Sequence, residues 1–138
     1  MKQALSLTSK IREAGNAFII SKLKEHNCES LAPSHGDILV VLYKYQKLTM
    51  KSIADKINRT KATVSVLIDK LEKIKLVQRV KSAEDNRVTY ITLTPKGLEL
   101  KPVFEEISNE LNSLLYKDFS AEEATQLDSL LKKMLNNL

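Results

Sequence analysis

The sequence predicts a mainly α fold with one small β-hairpin. Apolar residues recur at helical spacing through most of the chain, Gly and Pro number only three each, and one polar stretch joins the only adjacent β-prone runs. The 138 residues are expected to make one domain, 1–138, in which any sensing and any binding share one body.

From residue 4 to residue 23, Leu7, Ile11, Ala14, Phe18 and Leu23 recur at mostly three- to five-residue spacing, and Ala17, Ile19 and Ile20 widen the stripe into a first helix. It is expected to fray over the polar stretch His26 to Ser30, where Asn27 can stop it. Pro33 suits a first helical turn, so a second helix starts between Ala32 and Ser34, with Ile38, Leu39, Leu42 and Tyr45 inward. After a short link, Thr49 can cap a third helix carrying Ile53, Ala54 and Ile57. Beyond the tight link Asn58-Arg59, Thr60 can cap a fourth, with Val64, Leu67, Ile68 and Leu71 as its core stripe. Two short helices joined so closely are a helix-turn-helix. The outer face of the second is left to Lys61, Ala62, Ser65, Val66, Asp69 and Lys73, with Thr63 at the border.

Leu76 to Lys81 and Val88 to Leu93 flank the polar stretch Ser82 to Arg87 and read as a hairpin. Beside a helix-turn-helix, such a hairpin is a wing, so the fold class is a winged helix-turn-helix. Thr94-Pro95 then restarts a helix with a long apolar face (Val103, Phe104, Ile107, Leu111, Leu114, Leu115), which Pro102 is expected to kink. Ser120 with Glu123 forms a capping box for the last helix, whose stripe is Leu127, Leu130, Leu131, Met134, Leu135 and Leu138.

Composition narrows the function classes. Charges at Lys2, Lys10, Arg12 and Glu13, and an apolar run no longer than Ile38 to Tyr43, predict neither signal peptide nor membrane span. The lone Cys28 allows no intramolecular disulfide, which fits a cytoplasmic location. Phosphate-binding and metalloprotease motifs are missing, so no enzyme activity and no cofactor are expected. Cys28, His26 and His35 cannot close a tetrahedral zinc site without carboxylates, and no metal site is expected. His35 reads as a helix-start or pocket-wall residue. The net charge of +5 is localised: residues 49 to 94 hold ten Lys or Arg against five acids, while the flanks balance at twelve of each sign. A polyanion-binding surface needs that distribution, although a solvated charged face would also show it. The first helix and the last two carry more apolar surface than the head can cover, so either a partner subunit covers them or they complete a monomer core.

Between Leu31 and Gly97 the sequence resembles the MarR family (multiple antibiotic resistance regulators) in several pieces that stay in register. They are LAPSHGDILVVL, the helix-turn-helix LTMKSIADKINRTKATVSVLIDKLEK, the wing entry LVQR, the wing tip DNR at Asp85 to Arg87, and the exit TLTPKG. The resemblance implies a DNA-binding transcriptional regulator, a repressor relieved by a small-molecule effector. It further implies a homodimer built on residues 1–27 and 95–138, with heads at 32–94 reading a pseudo-palindrome in double-stranded DNA and an effector pocket between head and dimer helices. Lys75 departs from the family pattern, which places glycine after the recognition helix. Either the lysine accepts a left-handed backbone or the helix ends differently.

Since a helix fits the major groove, the outer, early residues Lys61, Ala62, Thr63, Ser65 and Val66 are the candidate base readers. Lysine can donate to guanine, hydroxyls serve bases or phosphates, and Ala62 or Val66 can pack on thymine methyls. Thr60 caps this helix, and Lys51 and Arg59 near the two helix starts are expected to hold phosphate. Lys81 adds charge to the hairpin. By resemblance, Arg87 contacts the minor groove or a phosphate and Asp85 holds it; read from the residues alone, the pair is equally a loop salt bridge. The alternative function is a winged-helix module that binds another protein and uses DNA weakly or not at all.

Overall fold

A computed structural model describes residues 1–138. The elements are α1 (Ala4–Glu25), α2 (Pro33–Tyr45), β1 (Lys47–Thr49), α3 (Met50–Ile57), α4 (Lys61–Lys73), β2 (Val77–Lys81), β3 (Thr89–Leu93), α5 (Pro95–Glu99), α6 (Lys101–Leu115) and α7 (Ala121–Asn136).

Local side-chain chemistry sets most of the helix starts. Thr49, Thr60 and Thr94 accept hydrogen bonds from the backbone N–H of Ser52, Thr63 and Gly97, at 3.2, 3.1 and 3.1 Å. Ser120 and Glu123 close the reciprocal box at 3.0 and 2.9 Å. At the start of α2 only half a box forms, because Ala32 has no side-chain acceptor. Its backbone N–H donates to His35 Nδ1 at 2.9 Å, which gives His35 the helix-start role. Burial, then the Lys70 charge, push the His35 pKa down, so the ring is held neutral.

Four helices end on a residue with positive φ; α2 does so on Gln46, and the other three share one cap, at Asn27 (60°), Asn58 (55°) and Lys75 (66°). In these three, the next residue's N–H reaches five residues back, from Cys28 to Leu23, Arg59 to Ala54 and Leu76 to Leu71. These are Schellman caps. Of the two options at Lys75, the chain takes the left-handed one, and α4 ends where a glycine would end it.

The hairpin gains a strand that the sequence reading did not include. β1 pairs antiparallel with β3, from Lys47 opposite Thr92 to Thr49 opposite Tyr90, giving a sheet of order β1-β3-β2. The long helix expected from Pro95 is likewise corrected: it divides at Leu100 instead of kinking. Pro102 offers no N–H and its ring would strike the carbonyl of Leu98, so it sits in the first turn of a new helix.

One core holds the head together. Ile38, Leu39 and Leu42 of α2 meet Ile53, Val64, Ile68, Leu71, Val77 and Ile91, all fully or almost fully buried. Leu67 of the expected stripe is only half-buried. Leu23, Phe104 and Ile107 join this core from α1 and α6, whereas α7 buries nothing.

Candidate nucleic-acid interface

The left-handed turn at Asn58 and the Thr60 cap let α4 leave α3 after a three-residue link, with the core stripe of α4 inward and its opposite stripe outward. Lys61, Ala62, Thr63 and Val66 are exposed, and Ser65 is half-buried. Val66 is 70% exposed, an uncovered apolar side chain in the middle of this face. Thr60 Oγ1 lies 2.9 Å from Thr63 Oγ1, so the Thr63 hydroxyl is already tied to the cap. Lys51 is exposed in the first turn of α3, and Arg59 is exposed in the link. Desolvation by the surrounding packing pushes the Asp37 pKa up, and Arg12 and then Arg59 offset only part of that rise.

At the wing tip, Ser82 N–H donates to Val88 O at 2.9 Å and Val88 N–H to Asp85 O at 3.0 Å. Ser82 Oγ accepts from the N–H groups of Glu84 and Asp85, fixing the turn. Asp85 then takes three donors from Arg87: the backbone N–H, Nε and Nη2, each at 3.0 Å. The Arg87 hydrogen bonds lower the Asp85 pKa and Asp85 raises that of Arg87. The loop salt bridge is therefore present, yet Arg87 stays 87% exposed and its Nη1 points to no partner in the chain. Lys81, opposite Thr89 near the tip, is exposed as well.

Arg79, within the LVQR wing entry but given no role in the sequence reading, joins the wing to α4. Its Nη2 lies 2.8 Å from Asp69 Oδ1 and its Nη1 2.9 Å from Glu72 Oε1. The i, i+3 acids on α4 were the available signal, but their partner depends on how the strand crosses the helix.

Behind α4, several contacts link the wing root to the rest of the chain. Thr94 Oγ1 donates to Lys75 O at 2.6 Å, Lys96 Nζ to Ile74 O at 3.2 Å, and Tyr43 OH to Gly97 O at 2.8 Å. Burial pushes the Tyr43 pKa up to about 12, so the hydroxyl keeps its proton as a donor. A cleft of about 400 Å³ opens between α2 and α6, walled by Val40, Tyr43 and Phe104 with Lys44, Lys101 and Glu105 at its rim. A larger apolar groove of about 620 Å³ runs between α1, α6 and α7, past Leu7, Ile11, Leu111, Leu115, Leu127 and Leu131. No helix is long and apolar enough to cross a membrane.

A capped helix-turn-helix, an exposed reading face and a hairpin with a rigid arginine tip define a winged helix-turn-helix protein. The MarR family model matches residues 31–89. The HTH-type transcriptional regulator SarZ of Staphylococcus haemolyticus is 31% identical over 117 residues, 83% of this chain and 75% of that one. MhqR of Bacillus subtilis, another HTH-type transcriptional regulator, is 30% identical over 75% of this chain and 72% of its own. Among solved structures, the S. aureus MepR–DNA complex superposes with a TM-score of 0.89 at 32% identity over the whole of both chains. The chain belongs to the MarR family of transcriptional regulators.

Proposed function

We propose that the protein is a cytoplasmic, sequence-specific DNA-binding regulator that reads a pseudo-palindromic operator as a homodimer and carries out no catalysis. One observation carries this reading: the small uncharged side chains exposed on α4 (Ala62, Thr63, Val66) and the locked Arg87 tip belong to one head whose local charge is positive. Ala62, Thr63, Ser65 and Val66, with Lys61, read bases in the major groove, while Lys51, Arg59 and Thr60 position the head on phosphates. Arg87, aimed by Asp85, enters the minor groove, and Lys81 adds phosphate attraction beside it. The MepR neighbour was solved with DNA, which supports the same use of this fold.

The head comprises residues 32–94, and residues 1–27 with 95–138 make the dimer. On α7 the exposed side chains include Leu130, Leu131, Met134 and Leu135, which a second copy would cover. Repression is relieved by a small molecule in the cleft between α2 and α6. Anisotropy titration against DNA upstream of the protein's own gene, at two salt concentrations, tests the reading. Tight, salt-sensitive, sequence-dependent binding is expected. Indifference to salt and sequence would instead favour a protein-binding module.

A further inference from the structure

The outward stripe of α4 runs Ala62, Ser65, Val66, Asp69, so a carboxylate sits on the face that reads DNA. Phosphates would repel it. Arg79 answers that charge with one planar fork, placing separate nitrogens on Asp69 and Glu72 at 2.8 and 2.9 Å. The two acids stand three residues apart, so both lean toward the same side of the helix. On β2, Arg79 shares the strand face of Val77, which is 1% exposed, and stands opposite Ile91, also 1% exposed. That face packs toward α4. The guanidinium is thus committed to the helix instead of to the groove.

We propose that Arg79 is a positioning residue that fixes the wing on the reading helix and masks the Asp69 and Glu72 carboxylates from DNA phosphates, without touching DNA itself. The proposal rests on the DNA-binding reading above. Its geometric content is that Arg87 arrives in the minor groove at a set distance from Val66 in the major groove. That spacing is fixed by a clamp near the root of the hairpin. A lysine cannot span two carboxylates with fixed directions, so the conservative replacement keeps only part of the function.

The test uses the full-length wild type, Arg79→Ala, Arg79→Lys, the pair Asp69→Asn/Glu72→Gln, and the triple variant. The probe is a fluorescent duplex recovered from a randomised pool by the wild type, titrated at several salt concentrations. Arg79→Ala is expected to weaken binding roughly tenfold or more at low salt, with part of that loss recovered at higher salt as the uncovered carboxylates are screened, and to lose distinctly less in the Asn/Gln background. Arg79→Lys should fall between. In DNA-free protein, ¹⁵N order parameters of residues 82–88 should drop in Arg79→Ala. Equal losses in both backgrounds, with a salt slope lower by about 0.9, would make Arg79 a phosphate contact and overturn the clamp. Wild-type affinity in Arg79→Ala, or unchanged wing order, would overturn it too. A wild type that recovers no duplex defeats the DNA-binding reading instead, and the relaxation comparison, which needs no DNA, still decides the clamp.

Discussion

Lys75 holds a conformation in which its Cβ crowds the backbone, at φ 66°, because the Schellman cap of α4 requires it there. Lys75→Gly should leave the fold intact and be neutral or stabilising by up to about 1 kcal/mol, read from denaturant melts. His35 supplies a pH dependence. Its folded pKa lies below the unfolded value, so its contribution is complete above pH ~6.5 and declines as pH falls through the depressed folded value. Urea melts at pH 7.5 and 5.5 should show wild type losing stability on acidification, and His35→Gln, which keeps an acceptor for the Ala32 N–H, losing less. At the wing, Arg87 and Lys81 carry equal charge but differ in constraint, since only Arg87 is held by a carboxylate at three points. Arg87→Ala should weaken operator binding roughly tenfold or more, and Lys81→Ala distinctly less. Asp85→Ala should follow Arg87→Ala. Anisotropy at one salt concentration ranks them, and equal losses would reduce the wing to a charge patch.

Whole elements divide into those that local chemistry announces and those that only packing decides. Thr49, Thr60, Thr94 and Ser120 were legible as caps because each needs one hydroxyl and a free amide two or three residues on. β1 was not legible: its three residues follow a positive-φ Gln46 and end on Thr49, itself the cap of α3, and they become a strand only because β3 offers a free edge. Pro102 signalled a disturbance, but whether the helix bends or divides depends on where the neighbouring turns can find partners. The candidate reading face stood out by residue type and spacing, the wing tip only by its resemblance to the family pattern. The role of Arg79 did not, because strand and helix meet through tertiary structure. Gly97 joins these elements: a Cβ there would lie 2.1 Å from Leu76 O at the root of the wing. Gly97→Ala should therefore destabilise the protein by about 1–3 kcal/mol or more, since backbone must move. Thermal melts measure it, and an unchanged Tm would mean the α5 start yields freely.

For the molecule as a whole, the core is concentrated in the head, while α1, α6 and α7 leave apolar residues such as Leu7, Ile11, Leu114 and Leu130 between 49% and 61% exposed. Deleting residues 119–138 removes one wall of that seam and should give an aggregating or unfolded protein. A stable, monodisperse truncated monomer in light scattering would count against the seam as a subunit interface. On the proposed dimer, the seam also sets how the regulator responds to its own abundance. Below the dimer's dissociation constant, the assembled species grows with the square of subunit number, so operator occupancy rises more steeply than synthesis does. A twofold dilution by growth without new synthesis then costs about fourfold in the concentration of binding-competent protein, and a greasy crevice between three helices becomes a threshold on gene expression.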